Sequence, residues 1–261
     1  MTASAPVDPV RPHHGRHYLV VGGAGGIGLA LAREAARQGA VVCVADVDEA
    51  ALRACAAEPG LQRTVHCDVG DPAQIERMVQ QAATHLDGRL HALIVTAGID
   101  LRGPLHTLAD ADWERVLTIN LTAAMRLSRA CLPILRATRG DRSMVFLSSA
   151  AGLSPLPERS AYCVSKAGLV MLGKCLAQEL GPEGIRVLTV APGAVDTPLL
   201  HTSYAGVADP AQARAQIRAR YALERIAAPE EVAWAVLYLC SPLAAYVTGT
   251  TLAVDGGRSF H

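Results

Sequence analysis

Tyr162 and Lys166 stand four residues apart, a spacing that turns both side chains to one face of a helix. An ammonium beside a phenol favours the phenolate, so the pair predicts a tyrosine pKa pulled down from ~10 toward working pH. Such a group can give a proton to a carbonyl or take one from an alcohol. Ser149, thirteen residues before Tyr162, closes an apolar run where its hydroxyl could bond the same substrate oxygen. Ser148 is its rival. The chain has only two lysines, Lys166 and Lys174, against 22 arginines, which makes a chance lysine at this spacing less expected. Its one asparagine, Asn120, falls mid-helix, where Asn is mildly unfavourable, so something other than helix propensity keeps it.

A second constellation lies near the start of the chain. Gly22-Gly23-Ala24-Gly25-Gly26-Ile27-Gly28 follows an apolar run and precedes a helical stretch. A glycine turn there lets backbone approach a pyrophosphate, and the helix offers free N–H groups and its positive dipole end. Asp46 comes about twenty residues on, after a second apolar run. Its carboxylate can accept hydrogen bonds from the ribose hydroxyls of a dinucleotide and would repel a 2′-phosphate. The alternative for Asp46 is a helix cap or loop acid.

The elements that must position these groups alternate along the chain. Strands are predicted at Tyr18–Val21, Val41–Ala45, Thr64–Cys67, Leu93–Thr96, Met144–Ser148, Val187–Val190 and Thr251–Val254. Helices are predicted at Ile27–Gln38 and Asp48–Ala57, then from Asp71-Pro72, from Asp110 to about Ala137, over Ala161–Leu180 and over Pro229–Cys240. Pro133 is expected to kink or end the fourth of these. Continuous β-branched runs such as Val41–Ala45 suit strands buried on both faces of a parallel sheet. Strand–helix alternation of this kind is the pattern of a doubly wound α/β sheet in one domain.

Composition narrows the setting. The 261 residues are 51% hydrophobic and carry 24 basic against 24 acidic side chains. Nothing in that balance steers the chain to nucleic acid or an anionic membrane. No apolar run approaches the ~20 residues of a membrane span. Seven scattered cysteines without a Cys-x-x-Cys pair make neither a disulfide framework nor a zinc site, which suits a reducing cytoplasm, and no metal is expected. Residues 1–17 read as a mobile tail, with His13 and His14 solvated, and 18–261 as the single domain.

From Tyr18 to Gly257 the sequence resembles the short-chain dehydrogenase/reductase family in its compact single-domain branch. The Gly-x-x-x-Gly-x-Gly spacing of Gly22, Gly26 and Gly28, the Tyr-x-x-x-Lys pair and Ser149 carry the likeness. It departs at Val21, where the family has Thr, and at Val95-Thr96-Ala97-Gly98, where the family has Asn-Asn-Ala-Gly. Both departures concern hydrogen bonds that steady turns. The resemblance implies a Rossmann-like sheet with helices on both faces. It implies a tetrad of Asn120, Ser149, Tyr162 and Lys166, with Asn120 holding a water that relays protons to Lys166, and Lys166 and Tyr162 also meeting the nicotinamide ribose. Gly22, Gly26, Ile27, Gly28, Asp46, Ala97 and Gly98 would bind the cofactor. Asp68 and Val69 would meet adenine, and Pro192, Gly193, Val195 and Thr197 would cover the nicotinamide. Asp255-Gly256-Gly257 matches a structural turn. A homotetramer is implied as well.

These readings converge on an NAD-dependent enzyme that interconverts a secondary alcohol and a ketone. Two others stand beside it. One is an NADPH-linked reductase of the 3-oxoacyl type, which would need a basic residue near Gly25 or Val47. The other is a protein that senses a dinucleotide without turning it over. A substrate lid is expected at about 197–228, with Leu199, Leu200 and Tyr204 lining an apolar pocket. Arg159, or an arginine of the lid, is a candidate for gripping an acidic substrate, the alternative being a solvated surface charge.

Overall fold

The computed structural model describes residues 10–202, 204 and 209–259. Seven parallel strands form one sheet in the order β3-β2-β1-β4-β5-β6-β7. They are β1 His17–Val21, β2 Val41–Asp46, β3 Arg63–His66, β4 Ala92–Val95, β5 Arg142–Leu147, β6 Ile185–Pro192 and β7 Thr251–Val254. Every residue of β1, β4 and β6 is buried, as a sheet covered on both faces requires.

Because side chains alternate along a strand, each strand feeds two cores. Leu19 and Val21 point to one layer, with α3 (Pro72–His85), α5 (Ala123–Ala137) and α6 (Ser160–Leu180). Tyr18 and Val20 point to the other, with α1 (Gly26–Arg37), α2 (Glu49–Ala56) and α9 (Pro229–Cys240). Aspartates start two of these helices: Asp48 accepts from Ala51 N and Asp71 from Ala73 N and Gln74 N, satisfying orphan donors of the first turn. No helix is long and apolar enough to cross a membrane among the described residues.

The long helical region is one rod with an irregularity. Helix α4 (Asp110–Leu117) passes through a wide π turn at Thr118–Thr122 into α5. Pro133 lies inside α5 and does not end it. The break is at Asn120 instead, and π turns of this kind gather at functional sites.

The expected boundary of the tail also moves. His13 is buried, and its Nδ1 lies 2.7 Å from the Tyr18 hydroxyl. Arg16 is buried too, and His17 begins β1. The packed body therefore includes His13, while His14 is exposed. Residues 1–9 lie outside the described residues. Arg16 and Arg186 both grip Asp141: Arg16 Nη2 donates to Oδ2 at 3.1 Å, and Arg186 donates to both oxygens at 2.9 and 2.8 Å. This cluster sits at the amino ends of β1, β5 and β6, opposite the groups considered next.

Candidate active site

The sequence runs outward on either side of a switch between β1 and β4, where order reverses from 3-2-1 to 4-5-6-7. In open α/β sheets a ligand crevice opens there, at the carboxyl ends of the strands. The turns carrying Gly22, Asp46, Asp68, Ala97, Ser149 and Pro192 all leave those ends. A cavity of about 610 Å³ opens at the ends of β4, β5 and β6, lined by Ile27, Gly98, Ser149, Tyr162, Lys166 and Thr197 among others.

Helix α6 brings Tyr162 and Lys166 to one face, with the lysine Nζ 5.7 Å from the centre of the tyrosine ring. Lys166 is buried and donates to Leu147 O at 2.9 Å. Among the described residues no carboxylate pairs with it. Burial therefore pulls its ammonium down to about 8. Burial also pushes the Tyr162 phenol up, opposed by a hydrogen bond with Ser149 and by the charge of Arg159. This differs from the expected lowering by Lys166: desolvation outweighs the Ser149 bond and the Arg159 charge.

Ser148 and Ser149 separate cleanly. Ser148 Oγ donates to Lys166 O at 2.7 Å and fastens α6 to the end of β5. Ser149 lines the cavity with Tyr162, and its Oγ accepts from Ala151 N at 3.1 Å. Asn120, in the π turn, acts as a clamp. Its Oδ1 accepts from Ile99 N at 2.8 Å, while Nδ2 donates to Ile99 O at 2.9 Å and to Ser165 Oγ at 3.0 Å. Ser165 Oγ in turn donates to Tyr162 O. A Cβ on Gly98 would lie 3.2 Å from Lys166 Nζ and 3.3 Å from Asn120 Oδ1, so these two atoms flank one glycine.

The glycine turn fits a dinucleotide. Gly22 has φ of +80°, and a side chain there would collide with Ala97 N. A side chain on Gly28 would collide with Gly22 O. Gly25, the N-cap of α1, has open space around it, and no side chain caps the helix, which leaves its first N–H groups for an anion. Asp46 accepts from Ala24 N, Val47 N and Asp48 N. A carboxylate has about four acceptor sites, so capacity remains for a ribose hydroxyl. Asp48, rather than Asp46, is the helix cap.

Thr96 is a residue whose part the sequence left unread. Its Oγ1 donates to Val21 O at 3.0 Å and Gly22 O at 2.8 Å, tying β4 to the turn whose usual hydroxyl is missing at Val21. The signal was there: both departures fall on partners in one contact. Asp68 is exposed and accepts from Gly70 N, beside buried Val69. Thr197 Oγ1 donates to Val195 O and accepts from Leu200 N, so both hydroxyl roles serve the local turn.

Leu199, Leu200 and Tyr204 line the cavity, on and beside α7 (Pro198–Thr202), with α8 (Pro210–Arg218) beyond. Residues 203 and 205–208 of the expected lid lie outside the described residues. Arg159 also lines the cavity but is ion-paired with Asp100, both side chains being nearly buried. Its charge is already answered. Arg159, a candidate for gripping an acidic substrate, thus has a carboxylate partner within the chain.

Comparison with known proteins agrees. A family model described as Enoyl-(Acyl carrier protein) reductase matches residues 22–259. The chain is 39% identical to cis-4-hydroxycyclohexanecarboxylate dehydrogenase of Sinomonas cyclohexanicum, over 92% of this chain and 94% of that protein. It is 33% identical to a 3-oxoacyl-[acyl-carrier-protein] reductase of Thermotoga maritima, over 93% of this chain and 97% of that one. Among solved structures, 3-ketoacyl-(acyl-carrier-protein) reductase from Brucella melitensis, complexed with NADH, superposes with a TM-score of 0.85. Its identity is 27%, and the match covers 95% of this chain and 99% of that chain. With the glycine turn, the Tyr162–Lys166 pair and this breadth of likeness in hand, the chain belongs to the short-chain dehydrogenase/reductase family of oxidoreductases.

Proposed function

We propose that the protein is an NAD-dependent dehydrogenase/reductase that interconverts a secondary alcohol and a ketone. The observation that carries this reading is the meeting of Tyr162, Ser149 and Lys166 at one cavity beside the glycine turn. Tyr162 is the general acid and base at the substrate oxygen. Ser149 steadies that oxygen and lowers the phenol toward ionisation. Lys166 holds positive charge beneath the ring and offers its ammonium to the cofactor ribose. Asn120 fixes the π turn and, through Ser165, the backbone of Tyr162. Bound NAD would supply the hydride acceptor.

Gly22, Gly26, Ile27, Gly28, Ala97 and Gly98 would hold the dinucleotide, with Asp46 on its adenosine ribose and Asp68 and Val69 at adenine. Pro192, Gly193, Val195 and Thr197 would cover the nicotinamide. Asp46 favours NAD over NADP, since Gly25 and exposed Val47 supply no charge for a 2′-phosphate. The partner of the chain is a second copy of itself. Exposed Val164 and Met171 on α6, and Trp234 and Tyr238 on α9, suit the two contacts of a tetramer. The setting is the cytoplasm.

A panel of neutral and acidic secondary alcohols with NAD or NADP tests the reading. We expect NAD-linked oxidation and the reverse ketone reduction. Bound dinucleotide with no turnover anywhere in the panel would replace the enzyme by a dinucleotide sensor. Turnover with NADPH alone would favour the 3-oxoacyl-type reductase.

A further inference from the structure

Four guanidinium groups line the cavity, and they are not equivalent. Arg102 pairs with Glu158 and Arg159 with Asp100. Arg220 has no carboxylate partner among the described residues. Arg258 donates through one nitrogen to two backbone carbonyls, Ser154 O at 3.2 Å and Pro155 O at 3.1 Å, and has no carboxylate either. The acids nearby are engaged. Asp255 accepts from Gly257 N and Ser259 N. Asp209, which with Asp100 supplies the carboxylates of the cavity wall, caps α8 by accepting from Gln212 N.

Tyr221 holds the two unanswered cations in one place. Its ring lies over Gly193, where a Cβ would come within 2.7 Å of Cε1, and beside Gly256, where a Cβ would lie 3.6 Å from its own Cβ. Leu223 N donates to Gly256 O at 3.1 Å. The segment carrying Arg220 is thereby fastened to the turn carrying Arg258. Both arginines line the cavity together with Tyr162, Ser149 and Tyr221, and the charges of both act on the Tyr221 phenol.

We propose that Arg220 and Arg258 form the anion-binding end of the substrate cavity, and that the substrate bears a carboxylate or sulfonate remote from its reacting carbon. The proposal rests on the oxidoreductase reading only in calling the bound molecule a substrate. Guanidinium matches a planar or tetrahedral oxyacid through paired N–H donors. A charge-assisted contact of this kind predicts roughly ten- to hundredfold tighter binding of an acid than of its amide.

The test is calorimetry on the full chain, with and without NAD, using cyclohexanecarboxylate, cyclohexanesulfonate and cyclohexanecarboxamide. None of these has an alcohol or ketone to react. We expect both acids to bind roughly tenfold or more tightly than the amide, with an affinity that falls as salt rises. The Arg220→Gln and Arg258→Gln variants should each shrink the acid-to-amide ratio, and the double variant should bring it near one. Arg214→Gln is the control: that side chain pairs with Asp196 and is absent from the cavity wall, so the ratio should stand. Equal affinity for acid and amide, no binding of either acid, or a preference that survives the double variant overturns the proposal. Cofactor affinity of each variant reports that it has folded. Acid-selective binding with a silent alcohol panel would remove the enzyme reading and keep the anion site. NAD-linked turnover without acid preference would do the reverse.

Discussion

Buried positive charge occurs at both ends of the sheet, with opposite outcomes. At the amino ends, Arg16 and Arg186 share Asp141, and further donors find carbonyls: Cys240 O for Arg16, and Leu239 O and Ser241 O for Arg186. At the carboxyl ends, Lys166 has one carbonyl and a phenol ring, with no carboxylate among the described residues. Burial alone costs both ends dearly. The first cluster answers that cost with partners and becomes a rivet. The second leaves it unanswered, so the lysine gives up its proton more readily, near pH 8, and the group becomes suited to moving protons. Counter-ions, rather than burial, separate structure from chemistry here.

The largest expected effect comes from the chemical end. Tyr162→Phe should keep fold and cofactor binding and lower turnover by ~10²–10⁴-fold, the usual worth of a positioned acid–base group. Steady-state kinetics beside a cofactor titration checks this, and near-normal kcat would place the proton carrier elsewhere.

Asp141→Asn should do the reverse. Leaving two guanidinium groups without their carboxylate is expected to cost ~3–5 kcal/mol, a fall in Tm of roughly 6–20 °C, with KM unchanged in the protein that remains folded. A thermal melt that scarcely moves would show the cluster to be dispensable.

Asp46→Ala tests a carboxylate that combines the two sides of this contrast, since it braces the glycine turn and is the group proposed to meet the ribose. The ratio of kcat/KM for NAD over NADP should fall by about ten- to hundredfold. An unchanged ratio would reduce Asp46 to a turn acid.

The smallest effect is a pH dependence at the amino ends. Burial, then the charge of Arg16, pulls both His13 and His91 from 6.5 down to about 4. His91 Nδ1 accepts the His17 N–H at 3.0 Å, a bond that protonation would break. The unfolded chain binds these protons first, so the stability they contribute is complete above pH 6.5 and lost as pH falls toward 4. Tm measured across that window should drop, and less steeply in His13→Gln. Parallel profiles for the two proteins would exclude His13 from the effect.

Much of this was legible in residue order because it depends on local periodicity. Strand–helix alternation, the glycine spacing and the four-residue step from Tyr162 to Lys166 are each written within one or two elements. Asn120 stood out by composition, but its partners did not: Ile99 and Ser165 reach it only across a π turn. Thr96 was seen as a departure and not as a compensation, because the carbonyls it bonds belong to another strand. The tail boundary failed at His13 for the same reason. A polar, proline-rich start reads as solvated until Tyr18 and Arg16 are folded around it.

Residue order alone carries the sheet, the glycine turn and the pairing of Tyr162 with Lys166, since these follow from patterns that the chain holds at short range. Only the tertiary structure decided which charges are answered. It paired Arg159 with Asp100 and, among the described residues, left Arg220, Arg258 and Lys166 without a carboxylate partner. The physical reason is that a charge's state depends on the dielectric and partners around it, and those partners come from segments as much as 224 positions away, as Cys240 is from Arg16.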